Sequence, residues 1–412
     1  MGGCGKHMMH PYDDLDLTFG ELINFIKLAS AGSLKACEKI DGVNVHWRKD
    51  YIGQHLFALN MSDMKKGGIT LLELRYRLQD HPARHQFLAG CLAIVNQTES
   101  MNSFRDYLFP RWINTEIVSK EHPQCIKYDR NCLVFHDLVY YNKIAKSAVS
   151  CLNEKVSKVE WENFTRWHCD ELDTTHKNKD RWYMYHKLPV KEYSTDCGEY
   201  LQEIKNIMEE YHLDDFSTLR DYYSLITVRE CTKWLPTEFA AKVAANVWDN
   251  GKWKIREIRK HLSESYDKKR FDRISLSKSR QGYRGECKTR MRNLFDRFGA
   301  VLVSHLPSNL ISDSESERER LEEQIRFNII QAGEVHINEH RDLWVELKDN
   351  LERFESLHVD CPVMEGIVVV YNNKKYKLTG AFPSMNRCSG TVRYALGIDF
   401  ETEKEKTFAN AY

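Results

Sequence analysis

The chain has 412 residues, 42% of them hydrophobic, with 60 Lys and Arg balanced by 60 Asp and Glu. That length and composition fit a folded protein of two to three domains. No run of 18 apolar residues is present, which excludes an ordinary transmembrane helix and predicts no membrane partner.

The first residues, MGGCGKHMMHPYDD, lack the apolar core of a secretory signal, and Lys6 stands where a myristoylation site needs Ser or Thr. Thr18 and Glu21 then form a T-x-x-E capping box. Leu22, Phe25 and Ile26 follow at helical spacing, with Gly32 placed to end the helix. NVHWRKD and QHLFALN predict two strands joined by a turn around Asp50 to Gly53. Helices are predicted from about Thr70 and about Ala83, with Pro82 suited to a first helical turn.

Strand signals return in RWINTEIV (Arg111 to Val118) and in CLVFHDLVYY (Cys132 to Tyr141). Within the second, an apolar run, His136 reads as a satisfied core histidine. From about Ala145 to Glu355 stretches of helical period such as GEYLQEIKNIMEEYHL dominate. EGIVVVYNNKKYKLTGAF then predicts a hairpin turning at Asn372-Asn373. The expected fold is an α+β domain of antiparallel sheets and helices, residues 1–145 and 356–412, interrupted by a mainly helical insertion, 146–355.

Twelve cysteines without a C-x-x-C pair read as free thiols in a reducing cytoplasm rather than a zinc site. The zero net charge conceals an asymmetry. Lys268, Lys269, Arg270, Arg273, Lys278, Arg280, Arg284, Lys288, Arg290 and Arg292 are opposed only by Asp272 and Glu286. With Phe271, Tyr283 and Phe295 interleaved, this run is a candidate polynucleotide surface.

CEKIDGVN, residues 37–44, carries the chemistry. Lys-x-Asp-Gly alone occurs by chance in about one chain in ten of this length. A lysine that attacks a phosphate must lose its proton, so its pKa has to be lowered by burial or by neighbouring cations. It also needs cations around the phosphorus, a carboxylate for the sugar and a glycine that admits the nucleotide. Glu116 in INTEIV, Glu365-Gly366 in MEGIVVVY, and Lys375 and Lys377 in KKYKLTG supply such groups, on strand-like segments and in that order.

This ordered set resembles the covalent nucleotidyltransferase superfamily of polynucleotide ligases and mRNA capping enzymes. EKIDG matches its motif I, NTEIV its motif III, EGIVV its motif IV and KYKL its motif V. LTFGEL, EKIDGVN, MKKGGIT and YKLTGAF look more closely like phage proteins described as RNA-ligase-like, over roughly residues 7–140 and 358–390. The resemblance implies an ATP-dependent RNA ligase acting in the host-cell cytoplasm. Lys39 would form a lysyl-AMP and pass AMP to a 5′-phosphate polynucleotide end, RNA before DNA. Glu38, Asp41, Gly42, Asn44, Arg48, Glu116, Lys375 and Lys377 would line the nucleotide, and Glu365 would hold Mg²⁺ or Mn²⁺.

Two departures accompany it. Leu59 stands where many ligases carry an arginine, for which Arg48 is the candidate substitute. Only about 35 residues follow Lys377, too few for a C-terminal OB domain, so the basic run is the candidate replacement. Three alternatives stay open: a DNA ligase, a GTP-using capping-type enzyme, and an inactive nucleic-acid-binding protein with the same fold.

Overall fold

The computed structural model describes residues 8–81, 83–99, 111–144, 147–152, 155–170, 181–248, 265–275, 277–334 and 341–396. Pro82 lies outside these. Helix α1 (Phe19–Ser30) begins as its capping box dictates: the Thr18 hydroxyl accepts from the Glu21 N–H at 3.1 Å, and the Glu21 carboxylate accepts from the Thr18 N–H at 3.0 Å. Helices α2 (Leu71–Arg77) and α3 (Arg84–Thr98) follow where periodicity placed them.

The ten described strands are β1 (Ala36–Lys39), β2 (Val43–Lys49), β3 (His55–Ala58), β4 (Trp112–Val118), β5 (Asn131–Asn142), β6 (Ser147–Ser150), β7 (Trp182–Tyr185), β8 (Pro189–Val190), β9 (Gly366–Tyr371) and β10 (Lys374–Leu378). They form two sheets, ordered β10-β9-β1-β8 and β3-β2-β4-β5-β6, with β7 lying parallel on β5. The other pairings between these strands are antiparallel. The mixed α+β class is therefore as expected. The β9–β10 turn is the predicted one, with Asn372 and Asn373 at φ +47° and +60°, the left-handed region a two-residue hairpin loop requires.

The chain passes from the first sheet to the second through Ile40-Asp41-Gly42, so Lys39 ends a strand of one sheet and Val43 begins a strand of the other. Period-two alternation then sorts the side chains. Val43, Val45, Trp47, Ile113 and Ile117 enter a core with Leu74, Phe87 and Ile94 of α2 and α3. Asn44, His46, Asn114 and Glu116 are left facing the first sheet. On that sheet Ile367, Val369, Tyr376 and Leu378 enter a core with Phe25 and Ile26 of α1. Cys37, Lys39, Val368, Val370, Lys375 and Lys377 face inward between the sheets.

The expected separation of a helical insertion is not how the chain packs. Strands β6, β7 and β8 lie within 146–355 and belong to the two sheets. Helices α4 (Gly198–Tyr211), α5 (Ser265–Ser275), α6 (Ser277–Cys287) and α7 (Thr289–Val303) supply Tyr200, Ile204, Phe271, Tyr283, Met291 and Phe295 to the core that holds α1, β9 and β10. Strands of two to four residues are too short to show a period, so the middle segment reads as helix alone.

Candidate functional site

Between the two sheets lies a cavity of about 1690 Å³, larger than the roughly 300–1,000 Å³ that takes one drug-sized ligand. Its two walls differ in chemistry. The first sheet presents Lys39, Lys375 and Lys377 with Glu365 at the strand entry. The second presents Asn44, His46, Asn114, Glu116, His136 and Asp137. The ordered motifs of the sequence thus meet in one place, cations on one wall and neutral or acidic polar groups on the other.

Antiparallel pairing sets Lys39 opposite Gly366, which brings the Lys39 ammonium into an ion pair with Glu365. Their side chains are 22% and 21% exposed. Burial works to lower the Lys39 pKa, but Glu365, Glu116 and Asp41 outweigh it and hold it above the ordinary lysine value. This is the reverse of what a nucleophile requires. Lys377 differs: burial and the Lys39 charge push it down. Asn44 pairs with Glu116 across β2–β4 and donates to Asn114 Oδ1 at 2.6 Å. Burial works to raise the Glu116 carboxyl, while His136, Lys39 and Asn44 hold it below its ordinary value.

Of the residues expected at the nucleotide, Asp41 and Arg48 do not line the cavity, and Glu38, which does, turns its carboxylate to other partners. The Glu38 carboxylate points away from Lys39, as neighbours on a strand must, and accepts from Ser308 Oγ at 2.5 Å and from the Asn309 backbone and side-chain N–H groups at 2.8 and 3.0 Å. Asp41 is 8% exposed, and its carboxylate accepts from the Cys125 and Ile126 N–H groups at 2.7 and 3.1 Å. Its own N–H donates to the Tyr128 hydroxyl at 2.7 Å. Arg48 lies farther along β2, its guanidinium 4.6 Å from the Trp112 ring centre and donating to Gly67 O at 2.9 Å. It does not line the cavity, whereas Leu59 does. Gly42 is kept small by its neighbours: a Cβ there would stand 2.6 Å from Ile117 O and 2.9 Å from Glu116 Cγ.

Three of the ten bases in the run are ion-paired within the chain, among the described residues. Arg273 pairs with Glu230 and Glu286, Lys288 with Asp13 at 2.7 Å, and Arg290 with Glu210 at 2.6 Å. Arg284 donates to Val247 O, and Arg292 bonds the Tyr12 hydroxyl. Phe271, Tyr283 and Phe295 are 0%, 1% and 2% exposed, so they are core residues rather than stacking platforms. Lys268 and Lys269 are exposed, Arg270 and Arg280 half-buried, and the Lys278 side chain lies outside the described residues. None of the run lines the cavity. The interleaved aromatics, being buried, are therefore not available to stack on bases.

Several cavity residues were not read as such from the sequence, His136, His46, Lys187 and Lys191 among them. His136 sits beside the β-bulge that shifts the β4–β5 register after Asn114, and its Nε2 lies 3.3 Å from Glu116 Oε2. It is a cavity residue, not a core one. His46 shares the face of Asn44, a signal that alternation along β2 carries. Lys187 and Lys191, at the ends of the short β8 region, are exposed at the cavity. Comparison with known proteins gave no match to any family model, curated protein or solved structure.

Proposed function

We propose that this protein is an ATP-dependent nucleotidyltransferase of the RNA-ligase type, with Lys39 as the residue that carries AMP. The observation that supports this reading is the convergence of Lys39, Glu116, Glu365, Lys375 and Lys377 on one cavity. They arrive there from distant parts of the chain and in the motif order of that superfamily. In the reaction, neutral Lys39 Nζ attacks the α-phosphorus of ATP. A P–N bond forms, the P–O bond to pyrophosphate breaks, and the nitrogen gives up a proton. The AMP then passes to a 5′-phosphate end, and a 3′-hydroxyl displaces it to join the strands.

The residues divide the work by wall. Lys375 and Lys377 neutralise the phosphate, and Glu116 accepts from sugar hydroxyls. Glu365 is positioned to take the Lys39 proton before attack. A divalent ion suits the same carboxylates, because Mg²⁺ is commonly held by one or two of them together with substrate phosphates. Among the described residues no group of three ligating side chains forms an all-protein cage. When bound, Mg²⁺ or Mn²⁺ neutralises charge on the triphosphate.

Incubation with α-labelled ATP or GTP followed by a denaturing gel tests the reading. Label held by the wild type and lost in Lys39→Ala is the expected result. No label from either nucleotide, with Mg²⁺ or Mn²⁺, overturns it, and label from GTP alone replaces the ligase with a guanylyltransferase. The ion pair that keeps Lys39 protonated favours a second reading, a non-catalytic nucleic-acid-binding protein, which the absence of label would support.

A further inference from the structure

His46 is 1% exposed, yet neither ring nitrogen has a hydrogen-bond partner among the described residues. Buried polar side chains are normally paired, and His46 is both buried and among the residues that line the cavity. Its neighbours on the strand, Val45 and Trp47, take the core side. Both ring nitrogens are covered, so a partner that enters the cavity reaches them by displacing the side chains that cover them.

Three observations fix the chemistry of that partner. The lysines that would take phosphate stand on the opposite sheet, and sheets pack roughly 10 Å apart. Around His46 stand Asn44, Asn114, Glu116, His136 and Asp137, amides and carboxylates of the kind that bind hydroxyl groups. Burial and the nearby His136 hold the His46 pKa down to about 3, so the ring is neutral. It offers one N–H and one lone pair, as a hydroxyl does in return.

We propose that His46 is a sugar-reading residue which, with Glu116 and His136, hydrogen-bonds the vicinal hydroxyls of a ribonucleoside and selects it over the 2′-deoxy counterpart. The identity of the ligand rests on the nucleotidyltransferase reading; the need of His46 for a hydroxyl-like partner does not. A site built to bond a hydroxyl rejects an analogue that lacks it, because its own polar group is then left unpaired.

The full chain is tested with α-labelled ATP against α-labelled dATP, alongside His46→Leu and His46→Gln. The wild type should label at least about 10-fold faster with ATP than with dATP. His46→Leu should bring the two rates within about threefold, by losing rate with ATP, while His46→Gln, which keeps a donor and an acceptor, retains part of the preference. An equal rate in the wild type, or an unchanged preference in a cooperatively melting His46→Leu, overturns the proposal. Ring resonances of ¹⁵N-histidine, followed with adenosine and 2′-deoxyadenosine, separate the two readings. A His46 shift with adenosine alone, in a wild type that takes no label, retires covalent transfer and leaves the sugar site standing. Neither shift nor label overturns both.

Discussion

Lys39 and Glu365 are 326 positions apart in the chain and joined by an ion pair across the β1–β9 register. The carboxylate proposed for the metal also holds Lys39, the proposed nucleophile, in its protonated form. Removing that charge should free the amine. In Glu365→Gln, Lys39 should be acetylated faster by acetic anhydride at a given pH, its reactivity curve moving to lower pH. The sign follows from the cause: Glu365 raises the Lys39 pKa, so its loss lowers it. Peptide mass spectrometry across pH 7 to 10 measures the curve. An unmoved curve would remove Glu365 as the controlling charge.

What the sequence disclosed about this arrangement was local. The Thr18–Glu21 box, the Asn372-Asn373 turn and the alternation of β2, β4 and β9 depend on neighbouring residues, and they were legible. The meeting of Lys39, Glu116 and Lys377 could be anticipated only through motif order. Partners chosen across the fold were not legible at all. Lys288 pairs with an aspartate 275 positions away, and Arg290 with a glutamate 80 positions away. The basic run therefore looked unopposed when only its neighbours were counted. His136 was misread because a bulge in β4–β5 turns it toward Glu116, and no period reports a bulge.

Asp41 should make stability depend on pH. Burial and the Glu365 charge raise its pKa from 3.8 to about 7. Between those values the folded protein holds a proton that the unfolded chain has lost. Stability from this group is thus present at low pH and falls as pH rises through about 7. Asp41→Asn keeps an oxygen for the Cys125 and Ile126 N–H groups without the charge. It should melt higher than the wild type at pH 8 and by a smaller margin at pH 5, the margin narrowing by about 2–3 kcal/mol between them. Thermal scans at the two pH values decide; a gap that does not change with pH would mean the carboxyl is not titrating there.

Gly42 carries a steric prediction. In Gly42→Ala the new methyl group meets Ile117 O and Glu116 Cγ well inside contact distance, so β4 must shift or the Glu116 side chain must turn away. Overpacking of this kind costs about 1–3 kcal/mol. Because the displaced group is Glu116, nucleotide affinity should fall beyond what that loss of stability explains. Calorimetric titration with ATP at a temperature where the variant is fully folded separates the two. Unchanged affinity would detach Glu116 from the ligand.

The last prediction concerns where a polynucleotide would lie. Lys187 and Lys191 are exposed at the cavity, and Lys187 acts electrostatically on Cys37 together with Lys375. Lys288 and Arg290 carry the same charge but are paired with Asp13 and Glu210. Charge already neutralised within the protein releases few counterions when a strand binds, whereas unopposed lysines release one for each phosphate met. Lys187→Ala with Lys191→Ala should therefore weaken binding of a single-stranded RNA and flatten the plot of log K against log salt by about 0.7 for each phosphate no longer neutralised. Lys288→Ala and Arg290→Ala should leave that slope unchanged and instead lower stability, by roughly 1 kcal/mol each for part-exposed pairs. Fluorescence anisotropy over a salt series measures the slopes. If the helical pair changes the slope and the cavity pair does not, the strand runs over α6 and α7 after all, and the ion pairs there open on binding.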